Sequence, residues 1–250
     1  MELSKEDLES DPVFSGPKHE FRERLVLKML KSIKKGKILD AGCGIGGIFF
    51  KLIKDYEVYG IDISEVQLNA LYKEASKKNL EINGKVQRMD MKKMSFSDET
   101  FDAVICGEVL EHIKEDYDVV KEFNRVLKIN GSCVVTVPAN PKLWDFNDEL
   151  SGHVRRYRKK NLRKLFESNG FKIEKISFYG FPIMRFYTKY IYSSMLKRKI
   201  KNEANNKKIN VKIVKYNKIY PLMSYIFDID KLFNWSPFGI GLIVKARKIK

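Results

Sequence analysis

ILDAGCGIGG, residues 38–47, is the stretch on which the fold turns. Lys37 to Gly42 read as a buried strand, and the chain then passes through closely spaced glycines into a segment of helical spacing, residues 46–55. Working outward, EVYGID (57–62) reads as a second strand, and Ser64 caps a helix running to about Asn79. GKVQRMD (84–90) is a third strand and FDAVICG (101–107) a fourth, the latter followed by a helix through Leu127. GSCVVTVP (131–138) is a fifth. Strands alternating with helices predict right-handed crossovers and a mostly parallel sheet covered on both faces. Upstream, Phe21, Leu25, Val26, Met29, Leu30 and Ile33 recur at helical spacing, and Gly36 stops that helix.

After Pro138 the rhythm breaks. Residues 139–158 read as a polar loop, 161–171 as a helix stopped by Gly170, and FKIEKISFYG (171–180) as a sixth strand. GIGLIVKARKI (239–249) supplies a seventh, antiparallel strand. The expected architecture is an α/β, Rossmann-like, doubly wound, seven-stranded sheet with a helical C-terminal insertion. Its expected divisions are an N-terminal helical cap (1–36), a core (37–180), an aromatic and basic insertion (181–237) and a last core strand (238–250).

The 250 residues are 44% hydrophobic, enough to bury a large core. No apolar run reaches transmembrane length, and the polar, acidic start (1–11) lacks the pattern of a signal peptide. Cys43, Cys106 and Cys133 lie far apart without metal-ligand spacing, so reduced thiols, a cytoplasmic setting and no metal are expected. The net charge of +16 is concentrated: residues 153–218 carry 20 Lys and Arg against 3 Asp and Glu, the remainder 28 against 29. Such a block draws anionic partners, although a solvated lysine-rich surface gives the same count.

Gly42, Gly44 and Gly47 satisfy the GxGxxG spacing of dinucleotide sites, and Asp62 lies at the distance of a ribose-binding acid. Asp40 argues against a pyrophosphate, because a carboxylate at the strand's end repels it from the helix N-terminus. It suits a ligand that carries cations, and S-adenosylmethionine (SAM) brings a sulfonium and an ammonium.

LDAGCGIGG resembles motif I of the class I SAM-dependent methyltransferases. GIDIS, RMDM, FDAVICGEVLEHI and LKINGSCVVTVP resemble, in order, the later motifs of that family, over residues 37–138. The motif set is similar to that of small-molecule and lipid methyltransferases of the ubiquinone type. The resemblance implies that Gly42, Cys43, Gly44 and Gly46 surround the methionine part of SAM while Asp40 faces its ammonium. It implies that Asp62 accepts the ribose hydroxyls, that Ile63 packs on the adenine, and that Asp90 and Met91 frame its edge. Glu108 and Val109 would floor the transferable methyl, and His112 would order the turn that follows. In the amino-terminal helix, Phe21, Arg22 or Arg24 would touch the cofactor, with Arg24 the selected candidate; simple packing explains the same residues.

For the acceptor, SGHVRRYRKKNL (151–162) resembles a His- and Arg-bearing loop of ubiquinone and lipid methyltransferases. His153 is the candidate base or else a loop anchor, and Tyr157 is a second catalytic candidate. The motifs that the resemblance would require of a DNA or RNA base methyltransferase are missing, since GEVL follows the fourth strand and Ala139 follows Pro138. Nucleic acid is therefore disfavoured as a partner. The insertion begins with Phe181, Phe186, Tyr187, Tyr190 and Tyr192 and continues with lysines, a pattern that suits either an anionic membrane surface or a cap over a small-molecule or lipid-like acceptor. The expected function is transfer of a methyl group from SAM to a small-molecule, lipid-linked or glycan acceptor; RNA or protein methylation recruited by the basic segment, and a silent SAM-binding scaffold, remain the alternatives.

Overall fold

The computed structural model describes residues 16–33, 36–198 and 219–249, with Ile219 described by its backbone alone. The polar start and most of the lysine-rich run 197–210 lie outside the described residues. Seven strands form one sheet in the order β3-β2-β1-β4-β5-β7-β6. They are β1 (Lys37–Ala41), β2 (Glu57–Asp62), β3 (Val86–Arg88), β4 (Phe101–Gly107), β5 (Leu127–Pro138), β6 (Phe171–Tyr179) and β7 (Gly241–Lys248). β1 to β5 pair in parallel, and β7 runs antiparallel between β5 and β6. This is the sheet expected from the alternating strands and helices.

The central strands are apolar at nearly every position because both faces are covered. Leu39, Val104, Cys106 and Val135 point into a core shared with α4 (Asp116–Val126) and α6 (Lys159–Glu167), while Ile38, Ala103, Ile105 and Val134 point into the other. That second core holds Phe21, Leu25 and Leu30 of α1 (Pro17–Leu30), together with Leu68 and Leu71 of α3 (Glu65–Lys77). Ser64 caps α3, its side chain accepting from the Gln67 amide.

Several segments differ from the sequence expectation: after β4 a 3-10 turn at Leu110–His112 precedes α4, and β5 begins at Leu127 and not at Gly131. The helix expected over 46–55 shrinks to α2 (Phe49–Leu52), because residues 42–47 are spent on turns. The loop expected over 139–158 contains a short 3-10 turn at Pro141–Leu143 and α5 (Phe146–Leu150). Asp145 nucleates α5 through a reciprocal capping box with Asp148.

The insertion is helical where it is described. Residues 183–198 begin as α7 (Ile183–Phe186), widen into a π-helical stretch at Tyr187–Tyr192 and continue as α-helix. The segment after the undescribed residues contains α8 (Ile219–Ser224) and a 3-10 run at Tyr225–Phe233. Asp230, fully buried, ties the two parts together by accepting from the Ile183 and Met184 amides at 2.8 and 2.9 Å. The second part also docks on α1, where Phe227 meets Phe21 edge-on.

Candidate functional site

The turn after β1 is built by backbone that only glycine adopts readily. Gly42 has φ of +80°, and a Cβ there would sit 2.5 Å from the Val109 side chain. The amides of Gly42 and Cys43 donate to the Ile61 carbonyl, and the Gly44 amide donates to Asp62 Oδ2 at 2.9 Å. Asp62 Oδ1 accepts from the Ser64 amide, so the carboxylate is oriented on both sides and keeps lone pairs for a ligand.

A cavity of about 610 Å³ opens from this turn and runs toward the loop after β5. Asp40, Gly42, Cys43 and Gly44 line one end, and His153, Arg156, Asn147 and Trp144 line the other. The chain has three histidines, His19, His112 and His153, and all three face this one space. Asp40 is buried with Oδ2 unpartnered. Burial first, then the neighbouring Glu23 and Asp62, raises its pKa well above the ordinary carboxylate range. An orphaned buried acid beside a glycine turn lacks one thing, a cationic partner.

Between the two ends lies a cluster of charged side chains. Glu108 stands in the left-handed region with φ of +57°, a strained position for a residue with a side chain. Its Oε1 accepts from Tyr179 Oη at 3.0 Å, and Arg22 lies 3.6 Å from Oε2. Burial alone would raise the Glu108 pKa, but Arg22, Lys18 and the Tyr179 hydrogen bond hold it below the usual value. Glu111 is 0% exposed and has no hydrogen-bond partner on either oxygen; burial, then Glu108, pushes its pKa well up. Burial, reinforced by His153, lowers His112 to about 4.

His153 is aimed by Asp148. Its Nδ1 lies 2.8 Å from Asp148 Oδ1, and Arg156 Nε donates to both oxygens of the same carboxylate. Burial would raise Asp148, but the bonds from His153 and Arg156 hold it at about 2. An ionised acceptor requires a proton on Nδ1, and Nε2 lies 3.8 Å from Glu111 Oε1.

Several sequence-selected residues lie elsewhere. Arg24 does not line the cavity. It donates to Asp228 and to the Ser224 carbonyl, and stacks 4.1 Å over the Tyr225 ring, because its place on α1 faces the insertion; Arg22 and Lys18 face the cavity instead. Tyr157 is buried and does not line the cavity; its Oη donates to Asp116 and lies near the Leu110 carbonyl. Gly46 is turned away from the cavity, since a Cβ there would strike the Phe50 ring, and Gly47 takes the lining position. Val109 packs over Gly42 without lining the space. Asp62, Ile63, Asp90 and Met91 stand outside the enclosed cavity, at or just beyond the ends of β2 and β3. Ile63 is 63% exposed, Asp90 accepts from the Lys92 amide, and Met91 is buried. Lys18, Glu111, Asp148 and Arg156 were not selected from the sequence. The only sequence signal for Asp148 was the capping pattern of residues 145–148, which reads as local structure.

A glycine turn between β1 and a helix, acids at or near the ends of β1 and β2, and a sheet whose last strand is inserted antiparallel agree with the fold that the resemblance to class I SAM-dependent methyltransferases implies. Residues 39–135 match the family described as methyltransferase domain. SAM is the cofactor such a domain takes. The orphaned Asp40 oxygen and the turn that a Cβ would fill fit its ammonium and methionine chain.

An uncharacterized protein of Methanocaldococcus jannaschii is 33% identical over 149 residues, which cover 60% of each chain. A sterol 24-C-methyltransferase of Gibberella zeae is 38% identical over 121 residues, 47% of this chain and 32% of that one. The matches thus span less than two thirds of these relatives' own length. Phosphoethanolamine N-methyltransferase 2 of Haemonchus contortus, solved with SAM, superposes with a TM-score of 0.61 over 91% of this chain and 52% of that one; at 17% identity the likeness is of fold.

Proposed function

We propose that the protein transfers the methyl group of SAM to a small-molecule acceptor with an apolar body and an ionisable head. The observation that carries this is one continuous cavity, with the orphaned Asp40 carboxylate and the glycine turn at one end and the Asp148-oriented His153 at the other. When bound, the cofactor supplies an electrophilic methyl on a good leaving group. The chain's own residues then align the partners and exclude water. Asp40 holds the ammonium, Gly42, Cys43 and Gly44 present backbone to the methionine chain, and Asp62 accepts the ribose hydroxyls. Ile63 covers the adenine, and Asp90 and Met91 frame its edge. His153 Nε2 accepts the proton that a hydroxyl or amine head must lose. Leu143, Trp144 and Leu196 line the far wall and suit an apolar acceptor body.

The direct test incubates the protein with methyl-labelled SAM and host extract, then divides the extract into lipid, small-molecule, protein and RNA fractions. Label in the lipid or small-molecule fraction is expected. Label confined to RNA or protein overturns the acceptor class, and SAM binding without turnover in any fraction supports a silent scaffold.

A second reading, that the insertion rests on an anionic membrane, is supported by a row of exposed apolar side chains. Leu222, Ile226, Ile229 and Leu232 recur at helical spacing, and Trp235, 79% exposed, and Phe238 extend the row. The row reaches the cavity mouth, where Arg185 donates to the Phe238 carbonyl. Burying several such side chains in an interface yields about 1.5–3 kcal/mol each at the upper limit, and each nearby Lys or Arg adds about 1 kcal/mol on an anionic leaflet. No helix among the described residues is long and apolar enough to cross a membrane. Sedimentation with phosphatidylserine vesicles is expected to retain the protein at low salt and lose it when Ile229, Leu232 and Trp235 become Ser. Equal sedimentation of that variant removes the row from the interface.

A further inference from the structure

We infer that Glu111, His112 and His153 form a binding site for one divalent first-row transition-metal cation of the Mn2+, Fe2+, Co2+ or Zn2+ kind. The site goes beyond methyl transfer and stands whether or not that reaction is the right one. Each residue offers one ligand atom, and the three atoms lie within 4.8 Å of one another. A cation with bonds near 2.1 Å places neighbouring ligand atoms roughly 3.0–3.5 Å apart. The 3.8 Å from His153 Nε2 to Glu111 Oε1 is thus a small side-chain rotation away. Two imidazoles and one carboxylate are the donor set that borderline divalent cations take, leaving further coordination positions free.

A second observation points to the same ligand. Glu111 is fully buried, yet neither carboxylate oxygen has a hydrogen-bond partner. A carboxyl group held away from water with nothing to bond is costly unless something absent supplies the contact. Glu108, three residues earlier, is already engaged by Tyr179 and Arg22 and leaves the role to Glu111.

The surroundings are those of oriented ligands. Asp148 fixes the His153 tautomer from behind, and is itself held by Arg156 and the Asp145 amide. Partners of this kind aim imidazoles at a metal and raise their basicity. His112 sits on the 3-10 turn Leu110–His112, which places its ring beside that of His153. His112 and His153 meet edge to face, with centroids 4.8 Å apart, so the two rings already converge. Lys18 and Arg22 oppose a cation electrostatically, but the Glu108 carboxylate beside Arg22 offsets part of that charge. With a cation in place, His153 Nε2 would be a ligand and not a base.

The test uses untagged full-length protein stripped with chelator and titrated with Co2+, Mn2+ and Zn2+ by calorimetry, without SAM. One equivalent is expected to bind with Kd in the micromolar range or below, and Co2+ is expected to show visible bands of nitrogen and oxygen ligation. Glu111→Gln and His153→Ala are expected to weaken binding at least tenfold, and Asp148→Asn tenfold to a hundredfold. His19→Gln, in the same cavity but outside the triad, is expected to bind as wild type. Thermal melts of the apo variants establish that each is folded. Absence of saturable binding, or equal affinity in a folded Glu111→Gln variant, overturns the inference. Should Glu111→Gln fail to fold, loss of the Co2+ bands in His153→Ala decides in favour and their persistence against.

Discussion

Asp40 and Asp62 differ in what surrounds them, and that difference sets their expected behaviour. Asp62 is oriented by two backbone amides, whereas Asp40 is buried with one oxygen bare. If Asp62 accepts the ribose hydroxyls as proposed, Asp62→Ala is expected to weaken SAM by about 1–3 kcal/mol, read by calorimetry. At Asp40 the effect is one of proton linkage. Its pKa is raised by burial and by Glu23 and Asp62, and a bound ammonium favours the ionised form. Below the raised pKa, binding must expel a proton, so SAM affinity is expected to rise with pH until Asp40 is ionised in the free protein. Calorimetry in buffers of different ionisation enthalpy measures that release, and Asp40→Asn is expected to abolish it. For the proposed transfer, His153→Ala is expected to lower turnover about a hundredfold while SAM affinity stays unchanged. These residues were legible to different degrees. Asp40, Asp62 and the glycines lie on one short turn and announce themselves by spacing. Glu111 and His153 belong to separate loops, and no local pattern signals that the fold brings them together. Arg24 is harder to place from sequence, because a helix preceding a glycine loop offers several basic residues and spacing does not say which side of α1 meets the insertion.

At the scale of elements, α1, which lines the cavity, and the C-terminal part of the insertion are held together as a pair. The Arg24–Asp228 pair and the Ser224 carbonyl bond join them, beside the Phe21–Phe227 contact. This ion pair is partly exposed, so Arg24→Ala is expected to cost only about 1 kcal/mol of stability. Its larger expected effect is faster amide exchange in residues 219–233, with the core strands unchanged. Equal exchange in both regions removes Arg24 from that role. The sheet was readable because its strands are apolar on both sides and its helices carry clear periodicity. The insertion was less so: its aromatics divide between packing and exposure, with Tyr187 set against Phe227 while Phe186 and Tyr190 stack on the outside. Composition alone does not separate these uses.

Across the whole molecule, the sheet depends on its final strand. β7 lies between β5 and β6 and is the one strand with which β6 pairs. Val244 is fully buried at its centre, so Val244→Asp is expected to destabilise by more than about 3 kcal/mol, seen as a lower melting temperature. β6 ends in Tyr179, whose hydroxyl holds Glu108 at the cavity. The order of synthesis therefore matters. While the chain emerges from the ribosome, β1 to β5 can assemble in sequence, but β6 must wait as an unpaired edge until residues 180–240 have followed it out. During that interval its apolar side chains are open to aggregation or to a chaperone, and the cavity still lacks one wall. Ligand capture is thereby postponed until translation has delivered β7.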